Sequence, residues 1–99
     1  MFLKKWREYD PSWLIEASKY RLDEYPWLTD ALVQCTKAKE ESEFYTYFIN
    51  RLRPNKKGSE WQFQESITIE DTPEGDVVID IVKTNRIGGI EFLSKVIAS

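Results

Sequence analysis

The spacing of apolar positions divides the chain near residue 41, with a helical period before it and an alternating one after. In FLKKWREY, Phe2, Trp6 and Tyr9 fall along one side of a short helix. Asp10-Pro11 then supplies an N-cap residue followed by proline at the first helical position. In PSWLIEASKYRLDEY, Trp13, Ala17 and Tyr20 recur at i, i+4 and i+7, which predicts an amphipathic helix ending before Pro26, because a residue preceding proline is pushed out of the helical region. Pro26 opens the next helix. Its stripe of Leu28, Ala31, Leu32, Cys35 and Ala38 is the cleanest in the chain.

From Glu43 the period becomes two. EFYTYFINRL sets Phe44, Phe48 and Leu52 on one face and Tyr45, Tyr47 and Ile49 on the other, a strand covered on both sides. RPNKKGSE is turn chemistry. WQFQESITI then alternates strictly, with Trp61, Phe63, Ile67 and Ile69 on an apolar face. EDTPEGD makes the next turn, and VVIDIV sets Val77, Ile79 and Ile81 against Val78, Asp80 and Val82. Thr84-Asn85 separates two apolar runs, and Asn tolerates the positive φ that a tight hairpin requires, so Ile87 to Leu93 is expected to return as a strand. Gly88-Gly89 inside that strand marks a bulge or the close approach of an aromatic ring. After Leu93 the tail is read as short helix or extended chain. The expected fold is α+β: a single domain of residues 1–99, with helices in residues 1–40 packed on one face of a four-stranded antiparallel β-meander in residues 41–99.

Asp76 to Leu93, DVVIDIVKTNRIGGIEFL, resembles the tail of a family of small bacterial proteins, a domain of unknown function ending in a hairpin of the form Asp-x-x-x-Gly-x-Ile-Val-Gly-Ile-Glu-Ile-Leu. The matching residues are Asp80, Arg86, Ile87, Gly89, Ile90, Glu91 and Leu93, while Asn85 stands where the family has glycine. The resemblance covers under a fifth of the chain and implies a terminal β-hairpin with no assigned activity.

Composition narrows the chemistry. The 99 residues are long enough for one domain with a modest core, and 41% hydrophobic against 31% charged residues is the balance of a folded chain. A net charge of −3 opposes general electrostatic binding to nucleic acid or acidic membranes. One cysteine and no histidine leave no internal disulfide and no ordinary zinc or thiol-imidazole site. Cys35 lies on the apolar side of its helix and is expected to be buried and inert. No apolar run reaches the length of a membrane span, so a cytoplasmic location is expected, with no cofactor.

Candidate sites are therefore charged and aromatic. Glu70, Asp71, Glu74 and Asp76 crowd one loop, but their spacing does not match an EF-hand, and Pro73 and Gly75 make it a solvated turn. Glu65 falls on the apolar face of its strand, where a bulge or sheet edge would explain it. Glu65 and Glu91 would form an acid pair if both faced a cleft under the helices. In a meander of four strands taken in order, Arg51, Arg53, Lys56 and Lys57 of the first turn would cluster with Lys83 and Arg86 of the third, and the acidic turn would stand at the far end near Glu40, Glu41 and Glu43.

Three function classes follow. The leading one is a protein-binding module that occupies a partner surface, of the immunity-protein, antitoxin or phage-encoded inhibitor kind; complementary charge at one pole would select its partner. The second is a nucleic-acid or phosphate binder using the basic pole, with Trp61 or Tyr47 as stacking platforms. The third is an enzyme built on Glu65 and Glu91, for which no catalytic motif exists in the chain. The sequence is neutral on self-association.

Overall fold

The computed structural model describes residues 6–48 and 62–98. In chain order the elements are β1 (Arg7–Glu8), α1 (Ser12–Ala17), a 3-10 turn (Lys19–Arg21), α2 (Leu28–Val33), β2 (Lys37–Glu40), β3 (Tyr45–Tyr47), β4 (Phe63–Thr72), β5 (Gly75–Val82), β6 (Arg86–Phe92) and α3 (Leu93–Ala98). The strands form one antiparallel six-stranded sheet in the order β1-β2-β3-β6-β5-β4.

This corrects the expected four-stranded meander under a helical N-terminal part. Of the four strands expected, β4, β5 and β6 pair in chain order among the described residues. The strand before them, β3, pairs with β6 rather than β4, in the register Tyr45↔Glu91, Thr46↔Ile90 and Tyr47↔Gly89. A tight hairpin forces its strands together, as at β4–β5 and β5–β6, whereas the longer stretch from Phe48 to Gln62 leaves β3 free to join the other edge of the meander. Among the described residues β4 is thereby an edge strand. Glu65 sits on it beside a register shift between Phe63 and Glu65, opposite Ile81.

The helical part is also shorter than its apolar spacing predicts. Ser18 ends α1: it is fully buried and its hydroxyl donates to the Ile15 carbonyl at 3.2 Å, so Tyr20 falls on a 3-10 turn and is 57% exposed rather than continuing the Trp13–Ala17 stripe. α2 closes at Val33, where Gln34 and Cys35 N–H donate to the Ala31 and Leu32 carbonyls in three-residue bonds. Ala38 is buried as expected, but from β2 rather than from a helix. Arg7 and Glu8, expected in a helix with Trp6 and Tyr9, pair with Ala38 and Lys37. Their side chains reach Glu40 and Lys37 across the ladder, exposed pairs that fix register more than they add stability. The N-cap is Pro11 rather than Asp10, and it carries no side-chain cap, although Asp10 accepts the Ser12 N–H at 3.0 Å just before the helix. The expectations at Phe2, Ile49 and Leu52 lie outside the described residues.

Leu14, Leu28, Leu32 and Cys35 of the helical layer pack on Ile67, Ile69, Val77, Ile79, Ile81, Ile87, Ile90 and Phe92 of the sheet. The face away from the helices mixes Val78 and Val82 with Asp80, Ser66 and Glu91. There Tyr45 donates its hydroxyl to Asp80 at 2.5 Å, and Ser66 donates to the same carboxylate at 3.2 Å. The β4–β5 turn and α3 lie at one end of the sheet and the β5–β6 turn at the other. Because β3 runs against β6, the loop Glu41–Phe44 comes to the first end, where Phe92 N–H donates to the Phe44 carbonyl at 2.7 Å.

Candidate functional site

That end of the sheet carries a groove of about 350 Å³. Tyr9, Trp13 and Phe92 supply its aromatic floor, and Glu40, Glu43 and Glu74 stand around it. Each arrives by a different route: Tyr9 follows β1, Trp13 comes from α1, Phe92 ends β6, Glu40 ends β2, Glu43 lies in the following loop and Glu74 in the β4–β5 turn. Trp13 lies nearly parallel to Phe92, at 6.2 Å between ring centres, and donates its indole N–H to the Tyr9 hydroxyl at 3.1 Å. Burial raises the Tyr9 hydroxyl above its ordinary value; the Trp13 hydrogen bond acts the other way, and the charges of Cys35, Glu74 and Asp10 add to the rise.

The charges around the groove are unequally committed. Arg7 bridges to Glu40 on the ladder, and Lys95 of α3 holds its ammonium 4.6 Å from the Phe92 ring centre. Glu43 and Glu74 are exposed and form no ion pair with any described residue. The groove thus brings two such carboxylates together with indole, phenol and phenyl rings, a setting that suits a cationic side chain.

Of the four acidic-loop residues, only Glu74 lines this groove. Asp76 accepts the Asp71 N–H at 2.9 Å and thereby holds Asp71 at a φ of 57°. Glu70 donates its N–H to the Tyr20 hydroxyl at 2.8 Å. Among the described residues no three acidic or thiol groups converge to hold a metal ion.

A second cleft, of about 670 Å³, lies at the opposite end between α2 and the β5–β6 turn, lined by Trp27, Asp30, Gln34, Cys35, Phe48 and Arg86 among others. Arg86 is exposed at its rim, and the neighbouring Lys83, also exposed, donates its N–H to the Gln62 carbonyl at 2.7 Å. Arg51, Arg53, Lys56, Lys57 and Trp61 lie outside the described residues. Cys35 is buried, its thiol 3.8 Å from the Ala31 carbonyl, and desolvation pushes its pKa up to about 12. That thiol is inert at neutral pH.

Glu65 and Glu91 are not brought together. Residues directly opposite in an antiparallel ladder share a face. Glu65 stands opposite Ile81, which faces the core, while Glu91 stands opposite Val78 and Tyr45 on the other face, two strands away. The acid pair considered from the sequence has no counterpart.

Sequence reasoning passed over Tyr9, Trp13 and Phe92 as a common floor, since nothing local tells that β1, α1 and β6 meet. It also passed over the Tyr45–Asp80 pair, although a carboxylate inside the apolar run VVIDIV is a signal that a partner is required. Compared with known proteins, the chain matches no family model, no curated protein and no solved structure. No helix among the described residues is long and apolar enough to cross a membrane.

Proposed function

We propose that the protein is a binding module that occupies a basic surface of another protein through its acidic groove, in the manner of an inhibitor or immunity-type protein. One observation carries this: Glu43 and Glu74, both without an ion-pair partner among the described residues, flank a groove floored by Tyr9, Trp13 and Phe92. An arginine or lysine from the partner would gain charge-assisted bonds and ring contact at once, and aromatic anchors of this kind dominate interface energetics. The negative total charge favours approach to a basic partner and opposes nucleic acid. The nucleic-acid alternative draws chiefly on Arg51, Arg53, Lys56, Lys57 and Trp61, outside the described residues, and no described feature favours it over the groove.

The test compares wild type with Glu43→Lys/Glu74→Lys, both immobilised and exposed to native extract, with folding checked by circular dichroism. A stoichiometric protein partner held by wild type, released by added arginine amide and lost in the double variant supports the proposal. Protein capture that survives the charge reversal, or capture of nucleic acid alone, overturns it.

A further inference from the structure

The outer edge of β4 is closed by two side chains from the 3-10 turn. Arg21 donates from Nη1 to the Thr68 carbonyl at 2.6 Å, and the Glu70 N–H donates to the Tyr20 hydroxyl at 2.8 Å. Both backbone groups point away from β5, because alternate residues of an edge strand turn their N–H and C=O outward. Arg21 is itself braced, with Glu24 holding it at 3.1 Å and the Tyr25 ring 5.4 Å from its guanidinium carbon. Among the described residues no strand lies beyond β4.

We propose that this edge is a self-pairing surface, suited to a second copy of the same chain, and that Tyr20 and Arg21 hold it shut. The occupant follows from the sequence of the strand. Ser66-Ile67-Thr68-Ile69-Glu70 laid antiparallel on itself about Thr68 sets Thr68 against Thr68, Ile67 against Ile69 and Ser66 against Glu70. Ile67 and Ile69 are buried on the core face while Ser66, Thr68 and Glu70 are exposed, so this register matches apolar to apolar and polar to polar. A slip of one residue would set isoleucine against the polar face. The two-fold ladder needs hydrogen bonds from residues 66, 68 and 70, and the Thr68 carbonyl and Glu70 N–H are the groups already taken. The ladder is short. Glu65 would meet Asp71, placing like charges opposite each other, and the register shift between Phe63 and Glu65 disturbs the edge beyond. Side chains that occupy an edge in this way prevent sheet-to-sheet association.

The test is the sedimentation-equilibrium mass of Tyr20→Ala/Arg21→Ala beside wild type, with circular dichroism to confirm folding and hydrogen exchange followed at the Glu70 amide. The double variant is expected to show twice the wild-type mass, with the Glu70 amide protected in the dimer. Adding Thr68→Pro, which removes the central N–H and is tolerated at an outward-facing edge position, should return the mass to the wild-type value. A folded double variant at wild-type mass, or a dimer that survives Thr68→Pro, overturns the proposal. Should the double variant not fold, Tyr20→Phe removes only the acceptor for Glu70; concentration-dependent dimerisation supports the proposal, and an unchanged mass at millimolar protein overturns it.

Discussion

The ring of Tyr45 lies against Gly89 so closely that a β-carbon on Gly89 would stand 2.5 Å from the Tyr45 Cε1 and Oη atoms and 2.7 Å from the Thr46 carbonyl oxygen. The glycine is what lets β3 dock on β6 and lets the Tyr45 hydroxyl reach Asp80 across the ladder. Gly89→Ala is therefore expected to destabilise the protein. Reduced unfolded-state entropy would return under about 1 kcal/mol, whereas overpacking against a backbone oxygen costs roughly 1–3 kcal/mol. A lower urea midpoint, with loss of protection at the Phe48 N–H that bonds to Gly88, would show that β3 has loosened.

Three groups tie stability to alkaline pH. Burial raises the Cys35 thiol from 9.0 to about 12 and raises the Tyr9 and Tyr45 hydroxyls above 10.0; for Tyr45, the hydrogen bond and charge of Asp80 add to the rise. Each folded-state value lies above its unfolded one, so the native state binds more protons in the window between them and stability falls as pH rises. The contribution is whole below pH 9.0, Cys35 begins to lose it there, and the tyrosines follow above 10.0. A tenfold difference in proton affinity between the folded and unfolded chain is worth roughly 1.4 kcal/mol. Urea midpoints are expected to be level from pH 7 to 9 and then to fall steadily, with a shallower fall between 9 and 12 in Cys35→Ala. An equal slope in that variant would assign the loss to the tyrosines alone.

The meander β4–β5–β6 was legible because its determinants are local: strict alternation in Phe63–Ile69 and turn residues at Thr72–Gly75 and Thr84–Asn85. Gly88-Gly89 was legible for the same reason. Its two expected causes are both present, a register shift opposite Asp80–Ile81 and the Tyr45 ring over Gly89. β1 and β2 were not legible. Two and four residues are too few to display a period, and Ala38 continued the spacing of α2 although the chain had already left the helix. The placement of β3 depends on a contact between residues 45 and 89, which no window of sequence contains. The groove was legible in part: Glu74, Glu40 and Glu43 were expected at one end, but their aromatic floor is assembled by long-range pairing.

The β5–β6 turn retains strain. Thr84 has φ 68° and Asn85 φ 57°, so two of the three residues between the paired Val82 and Arg86 are left-handed. Asn accepts that conformation, but a β-branched residue there is an outlier. Thr84→Asn should stabilise the protein by about 1 kcal/mol, the lower end of the strain in such positions. The gain would show as a higher thermal midpoint with an unchanged sheet spectrum. A lower midpoint would mean that the Thr84 hydroxyl, which donates to the Lys83 carbonyl, outweighs the backbone strain.

Neighbouring residues on α2 should respond unequally to truncation. Leu32 is fully buried against the sheet, while Val33 is 50% exposed. The six-residue helix is too short to persist alone, so its place depends on Leu28 and Leu32 entering the core. Leu32→Ala removes a fully buried side chain and leaves a cavity, expected to cost about 2–5 kcal/mol. Val33→Ala removes exposed methyls and improves helix propensity, so its effect should stay within about 0.5 kcal/mol. Urea denaturation of the two variants separates these cases. Comparable losses would show that α2 is held along its whole surface, and a small loss at Leu32 would mean that the helical layer closes over the vacated space.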